Sequence, residues 1–171
     1  MSPALHATAA ARRVGGRWRA VLIGGPSGAG KSDLALRLLA AGWRLVSDDY
    51  SQVWASGGAL YCRAPASIAG RLEARGAGLL AAAPLPLARA VLWIDGVRDP
   101  PERLPEPAFI ELCGLALPRL ALNPLEASAP AKLDGLMRPG ALDAWTGRAI
   151  GLRKPLSPGR SRQTPAATGY S

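Results

Sequence analysis

Hydrophobic positions gather in short runs punctuated by glycine, proline and charge. Arg19-Ala-Val-Leu-Ile-Gly24 is one such run, and its length and apolar content suit a buried strand. A glycine-rich octapeptide follows, and then Asp33 to Ala41, where leucines at 34 and 38, with 36 and 39 one face over, predict a helix stopped by Gly42. Trp43 to Ser47 predicts a second strand and Val91 to Asp95 a third, each ending in acid. Residues 7–18 read as a connection or as a strand pair turning at Gly15-Gly16, which leaves Arg19 to about Gly151 as the body of the domain. Lys154 to Ser171 is rich in Pro, Ser, Gly, Thr and Arg with almost nothing apolar to bury, so residues 152–171 are expected to form a disordered basic tail behind a domain of residues 1–151.

The longest uncharged apolar stretch, Ala77 to Ala88, is interrupted by Pro84 and Pro86 and is too short to span roughly 30 Å of hydrocarbon. The first 19 residues hold four arginines and no unbroken apolar core of a secretory signal. A cytoplasmic protein with no membrane partner is the expectation. With 171 residues, 49% of them hydrophobic, the chain has material for one core. Cys62 and Cys113 make no disulfide framework, and with His6 as the single histidine a Cys/His zinc site is close to excluded; both thiols are expected to be buried.

A net charge of +9 raises the question of nucleic acid, but the charge sits on the flanks. Residues 1–19 carry +4, residues 138–171 carry +5, and the stretch between them balances 11 basic against 11 acidic residues. Aromatic residues are sparse and not interleaved with the arginines, so no nucleic-acid partner is expected.

The octapeptide Gly25-Pro26-Ser27-Gly28-Ala29-Gly30-Lys31-Ser32 fits the P-loop pattern at every fixed position, between an expected strand and an expected helix. Such glycines let the backbone curl so that successive N–H groups point at phosphate oxygens, and the helix N-terminus adds its dipole. Lys31 is placed to bridge β- and γ-phosphates and Ser32 to hold Mg²⁺. Asp48 and Asp49 end the following strand, at the sheet edge where open α/β proteins bind ligands; one can hold magnesium and the other take a proton from a hydroxyl. Asp95 is a second choice for the strand-end acid of the nucleotide site.

The run from Gly25 to Asp49 resembles the catalytic domain of bacterial HPr kinase/phosphorylase. Ile68-Ala-Gly-Arg-Leu-Glu73-Ala-Arg75-Gly76-Ala-Gly78 is similar to that family's Glu-Val-Arg-Gly-Leu-Gly segment, and Glu102-Arg103-Leu104 resembles a segment bearing a catalytic arginine. The resemblance implies Asp49 as the proton acceptor, Lys31 and Ser32 at the phosphates, Glu73 as a second magnesium ligand, and catalytic parts for His6, Arg103, Asp48 and Arg75. Ala116 to Leu122 corresponds to a loop used in phosphorolysis but lacks its glycine and asparagine. By resemblance to the short form of alphaproteobacteria, the chain is expected to lack the N-terminal regulatory domain of the long members.

The expected fold is α/β, a mixed twisted sheet with a P-loop and, by resemblance, a phosphoenolpyruvate-carboxykinase-like nucleotide-binding core. The resemblance implies ATP- and Mg²⁺-dependent phosphorylation of a serine on the phosphocarrier HPr of the phosphotransferase system, with phosphorolysis as the reverse, in a homohexamer. Two alternatives stand beside it: a small-molecule kinase of the gluconate or shikimate type, and a nucleotide-sensing module that transfers nothing.

Overall fold

The computed structural model describes residues 4–99 and 101–147, so the expected tail lies outside the described residues. Its frame is a mixed sheet with few helices. Eleven strands are described: β1 (Ala4–Leu5), β2 (Thr8–Val14), β3 (Arg17–Gly24), β4 (Arg44–Ser47), β5 (Ser51–Ser56), β6 (Ala59–Arg63), β7 (Arg71–Ala74), β8 (Gly78–Ala81), β9 (Ala88–Gly96), β10 (Ala108–Leu112) and β11 (Leu115–Leu122). Helices α1 (Lys31–Ala40), α2 (Ala129–Leu136) and α3 (Ala141–Thr146) complete the fold.

The main sheet runs β1-β5-β6-β9-β3-β2-β4, and the β10–β11 hairpin joins it at β9. The first half of β9 pairs with β6 and its second half with β11, so the sheet branches along one strand. Parallel pairing is confined to β3–β9 and β9–β11 among the described strands. Both β3 and β9 are nearly continuous apolar runs, as strands covered on two faces must be. On one face Val21, Ile23, Leu92 and Ile94 pack against Leu34 and Leu38 of α1 and Leu133 of α2. On the other, Ala20 and Leu22 meet Val53, Leu60, Cys62 and Leu117.

Residues 7–18 are the strand pair, not a connection, and they belong to the body of the domain. Val14 pairs with Arg17 around a Gly15-Gly16 turn whose residues both have positive φ, 57° and 76°, and β2 is then sandwiched between β3 and β4. The core therefore begins near Ala7 and not at Arg19, because Ala9, Ala10 and Ala11 are fully buried in a strand paired on both sides. A run of alanines carries too little apolar contrast to announce a buried strand. Cys113 is likewise exposed, not buried, since it occupies the β10–β11 turn with φ 51°. Ala116 to Leu122 is strand, not loop, with Arg119 pairing to Asp95.

Candidate active site

The glycine loop joins β3 to α1 where the sequence puts it. Gly25 has φ 136°, and a Cβ there would lie 2.8 Å from the Gly96 carbonyl oxygen at the end of β9, so only glycine fits this turn. Gly30 caps α1 in a left-handed conformation, and the chain enters the helix at Lys31, whose first N–H groups have no helical acceptor. The Lys31 side chain, nearly buried, curls back so that Nζ donates to the carbonyls of Gly25 and Pro26, each at 3.1 Å. An ammonium held inside the loop curl stands where phosphate oxygens would be received.

Three separate chain segments meet beside this loop. β2 pairs antiparallel with β4, Ala9 opposite Ser47, so the start of β2 lies against the end of β4. That register brings His6 and Thr8 to Asp48 and Asp49. Leu72 of β7 packs with Ala35 of α1 and Leu45 of β4, and this contact sets Glu73 at the same place.

Asp48 is the hub. Its Oδ1 accepts from Ser32 Oγ at 2.8 Å and from Thr8 Oγ1 at 2.9 Å, and its Oδ2 accepts the Glu73 N–H at 2.9 Å. The residue is 7% exposed and both oxygens are occupied. Asp49 differs in each respect. It is exposed, has φ 64°, and its Oδ1 lies 2.6 Å from His6 Nε2, while its N–H donates to Thr8 Oγ1 at 3.2 Å. Left-handed backbone is tolerated by aspartate better than by bulkier residues, and the Thr8 bond helps hold it. Two adjacent carboxylates thus receive opposite assignments: Asp48 ties elements together, and Asp49 presents itself outward. The Tyr50 ring lies 5.3 Å from the His6 ring and closes one side.

Ser32, Asp48, Asp49, His6 and the Glu73 backbone are therefore linked through Asp48 and Thr8, with Lys31 in the adjoining loop. Arg75 lies exposed past the end of β7, and Arg103 is exposed in the loop between β9 and β10; among the described residues neither bonds to the group. Asp95 is engaged elsewhere, accepting from Trp93 Nε1 at 2.9 Å and from Arg119 Nε at 2.5 Å, which raises the Arg119 pKa chiefly through that hydrogen bond. Thr8 is the residue of this cluster missing from the sequence reading; its hydroxyl at the start of β2, two residues after His6, was the available signal.

Magnesium favours oxygen donors and keeps waters and substrate phosphates alongside one or two carboxylates. The Ser32 hydroxyl suits that donor set, and the Glu73 N–H bonded to the same Asp48 carboxylate brings the backbone of a second acidic residue to it. No group of three or more His, Cys, Asp or Glu side chains converges among the described residues.

Residues 18–86 match the family model described as HPr Serine kinase C-terminal domain. The similarity is to HPr kinase/phosphorylases. The protein of that name from Clostridium beijerinckii is 45% identical over 60 residues, 35% of this chain, and the one from Clostridium perfringens strain SM101 is 45% identical over the same length. In each case the match spans only 20% of the relative's own length. The solved structure of the Hpr(Ser) kinase/phosphatase from Coxiella burnetii superposes with a TM-score of 0.67 at 22% identity, covering 83% of this chain and 98% of that one. That likeness establishes the fold, a mixed curled sheet with few helices. The matched stretch, residues 18–86, contains the loop, both aspartates and Glu73. No helix among the described residues is long and apolar enough to cross a membrane.

Proposed function

We propose that this protein phosphorylates a serine of the phosphocarrier HPr, using ATP and Mg²⁺ in the cytoplasm. One observation carries the reading: an outward-facing carboxylate, Asp49, stands beside His6, and its neighbour Asp48 is bonded to Ser32, the last residue of the P-loop. Loop N–H groups and Lys31 hold and orient the triphosphate. Asp49 accepts the proton of the incoming serine hydroxyl, because its carboxylate is reachable from outside and Asp48 is saturated. His6, when Nε2 carries the proton, donates to Asp49 Oδ1 and fixes the direction of its free oxygen. Ser32 and Glu73 would hold Mg²⁺, which when bound offsets charge on the phosphate oxygens. Transfer is direct from ATP to the serine oxygen, so positioning and electrostatics supply the rate. In phosphorolysis inorganic phosphate would attack the phosphorus of phosphoserine, the serine Oγ–P bond would break to give pyrophosphate, and Asp49 would return the proton to the departing serine oxygen. Assembly as a homohexamer and catalytic parts for Arg75 and Arg103 belong to the same proposal, from the family resemblance.

The test is intact-mass spectrometry of HPr after incubation with the protein, Mg²⁺ and ATP, beside Asp49→Asn. Asparagine suits the left-handed backbone, so the variant removes basicity with little distortion. The expected result is one phosphate on serine, formed at least about 100-fold more slowly by the variant. HPr left unmodified by protein that binds ATP would favour a small-molecule kinase or a nucleotide sensor.

A further inference from the structure

We propose that Arg98 is a further residue of this site, a cation that distinguishes a nucleoside triphosphate from a diphosphate by binding the terminal phosphate. The inference rests on the nucleotide reading above. β9 leaves the sheet in backbone contact with the loop, at Gly96 against Gly25. Two residues further on, Arg98 Nη2 donates to the Gly28 carbonyl at 3.1 Å, over the middle of the loop.

The base of this side chain is anchored. Val97 N–H donates to the Leu122 carbonyl at 3.0 Å, and Asn123 Nδ2 donates to the Arg98 carbonyl at 3.1 Å. Asn123 Oδ1 accepts the Leu125 N–H at 3.0 Å, and Pro124 and Leu125 fill the space where a Cβ on Gly30 would stand. Arg37 of α1 bonds to the carbonyls of Pro124 and Glu126. The Arg98 backbone is thus fixed relative to both ends of the loop, while its guanidinium is exposed and has no carboxylate partner among the described residues.

Charge gives that arrangement its purpose. Asp48 and Asp49 put acid beside the last residue of the loop, and the cations bonded to the loop among the described residues are Lys31 and Arg98. A guanidinium has five N–H donors in a fork matched to phosphate oxygens, and the Gly28 carbonyl takes one donor, leaving others free. The strand carrying it ends beside the loop on the side where parallel α/β sheets present ligand contacts.

Titration of the whole chain with Mg²⁺ and either a non-hydrolysable ATP analogue or ADP separates the possibilities. Wild-type protein is expected to bind both. Arg98→Gln is expected to weaken the triphosphate by about tenfold while ADP stays within about twofold, since a charge-assisted bond to one phosphate is lost. Arg98→Lys should recover part of the difference. Equal weakening of both nucleotides would reduce Arg98 to a brace for the loop, and no change in either would remove it from the site; each outcome overturns the proposal. Wild-type protein that binds neither nucleotide would overturn the nucleotide reading itself. A thermal melt of each variant, expected to match wild type at this exposed position, separates lost binding from lost folding.

Discussion

Ser32 Oγ donates to Asp48 Oδ1 at 2.8 Å, and this bond joins the first turn of α1 to the end of β4. Thr8 and the Glu73 backbone use the same carboxylate, so three elements besides β4 depend on one buried side chain. Asp48→Ala strands two hydroxyls and an N–H and should cost about 3 kcal/mol in urea unfolding. Asp48→Asn keeps an acceptor for the hydroxyls but sets its NH₂ against the Glu73 N–H, and should cost about half as much.

Thr8 is fully buried and bonds to both aspartates, donating to Asp48 and accepting from the Asp49 N–H. Thr8→Val preserves shape and removes both bonds. Asp49, at φ 64°, then loses a restraint on an uncommon backbone conformation. The expected outcome in steady-state kinetics is kcat lower by about tenfold with KM for ATP nearly unchanged, because the loop that holds nucleotide is untouched. A larger change in KM than in kcat would place Thr8 in nucleotide binding instead.

Gly24 lies under the Trp93 indole, and a Cβ there would stand 2.2 Å from Trp93 Cζ2. Gly24→Ala should destabilise the protein by about 2 kcal/mol, the cost of overpacking against a ring held by Asp95. Gly24→Ala combined with Trp93→Leu should be more stable than the sum of the two single losses predicts. Strict additivity in a double-mutant cycle would show that the two positions are not coupled.

Burial pushes the Cys62 thiol up to about 12 from 9.0, whereas Cys113 sits exposed in a turn. A thiol reagent at pH 8 should label Cys113 in the folded protein and Cys62 only after unfolding. Because the folded state keeps the Cys62 proton that the unfolded state releases, this group's contribution to stability is complete below about pH 9 and is lost as pH rises toward 12. Stability of Cys62→Ala should fall less steeply across that interval than that of the wild type.

The local sequence by itself determined the loop, the helix after it and the strands on either side. Those elements are written in short-range terms: glycines where the backbone must turn tightly, leucines at helical spacing, apolar runs of strand length. Lys31, Ser32 and the Asp48-Asp49 pair were legible for the same reason, since each lies within a few residues of the element that positions it. Tertiary structure decided the rest. Nothing in residues 7–11 separates an interior strand from a connection until β3 and β4 pair on either side of it. The paired aspartates have the same neighbours in sequence and unlike environments in space, because Thr8 and Glu73 reach Asp48 from distant segments while His6 reaches Asp49. Arg98 is one of 21 basic residues in the sequence, and only the parallel pairing of β9 with β3 lays it across the loop. Side-chain type is fixed locally, whereas charge pairing and exposure depend on which strands become neighbours, and sheet pairing is set by contacts far apart along the chain.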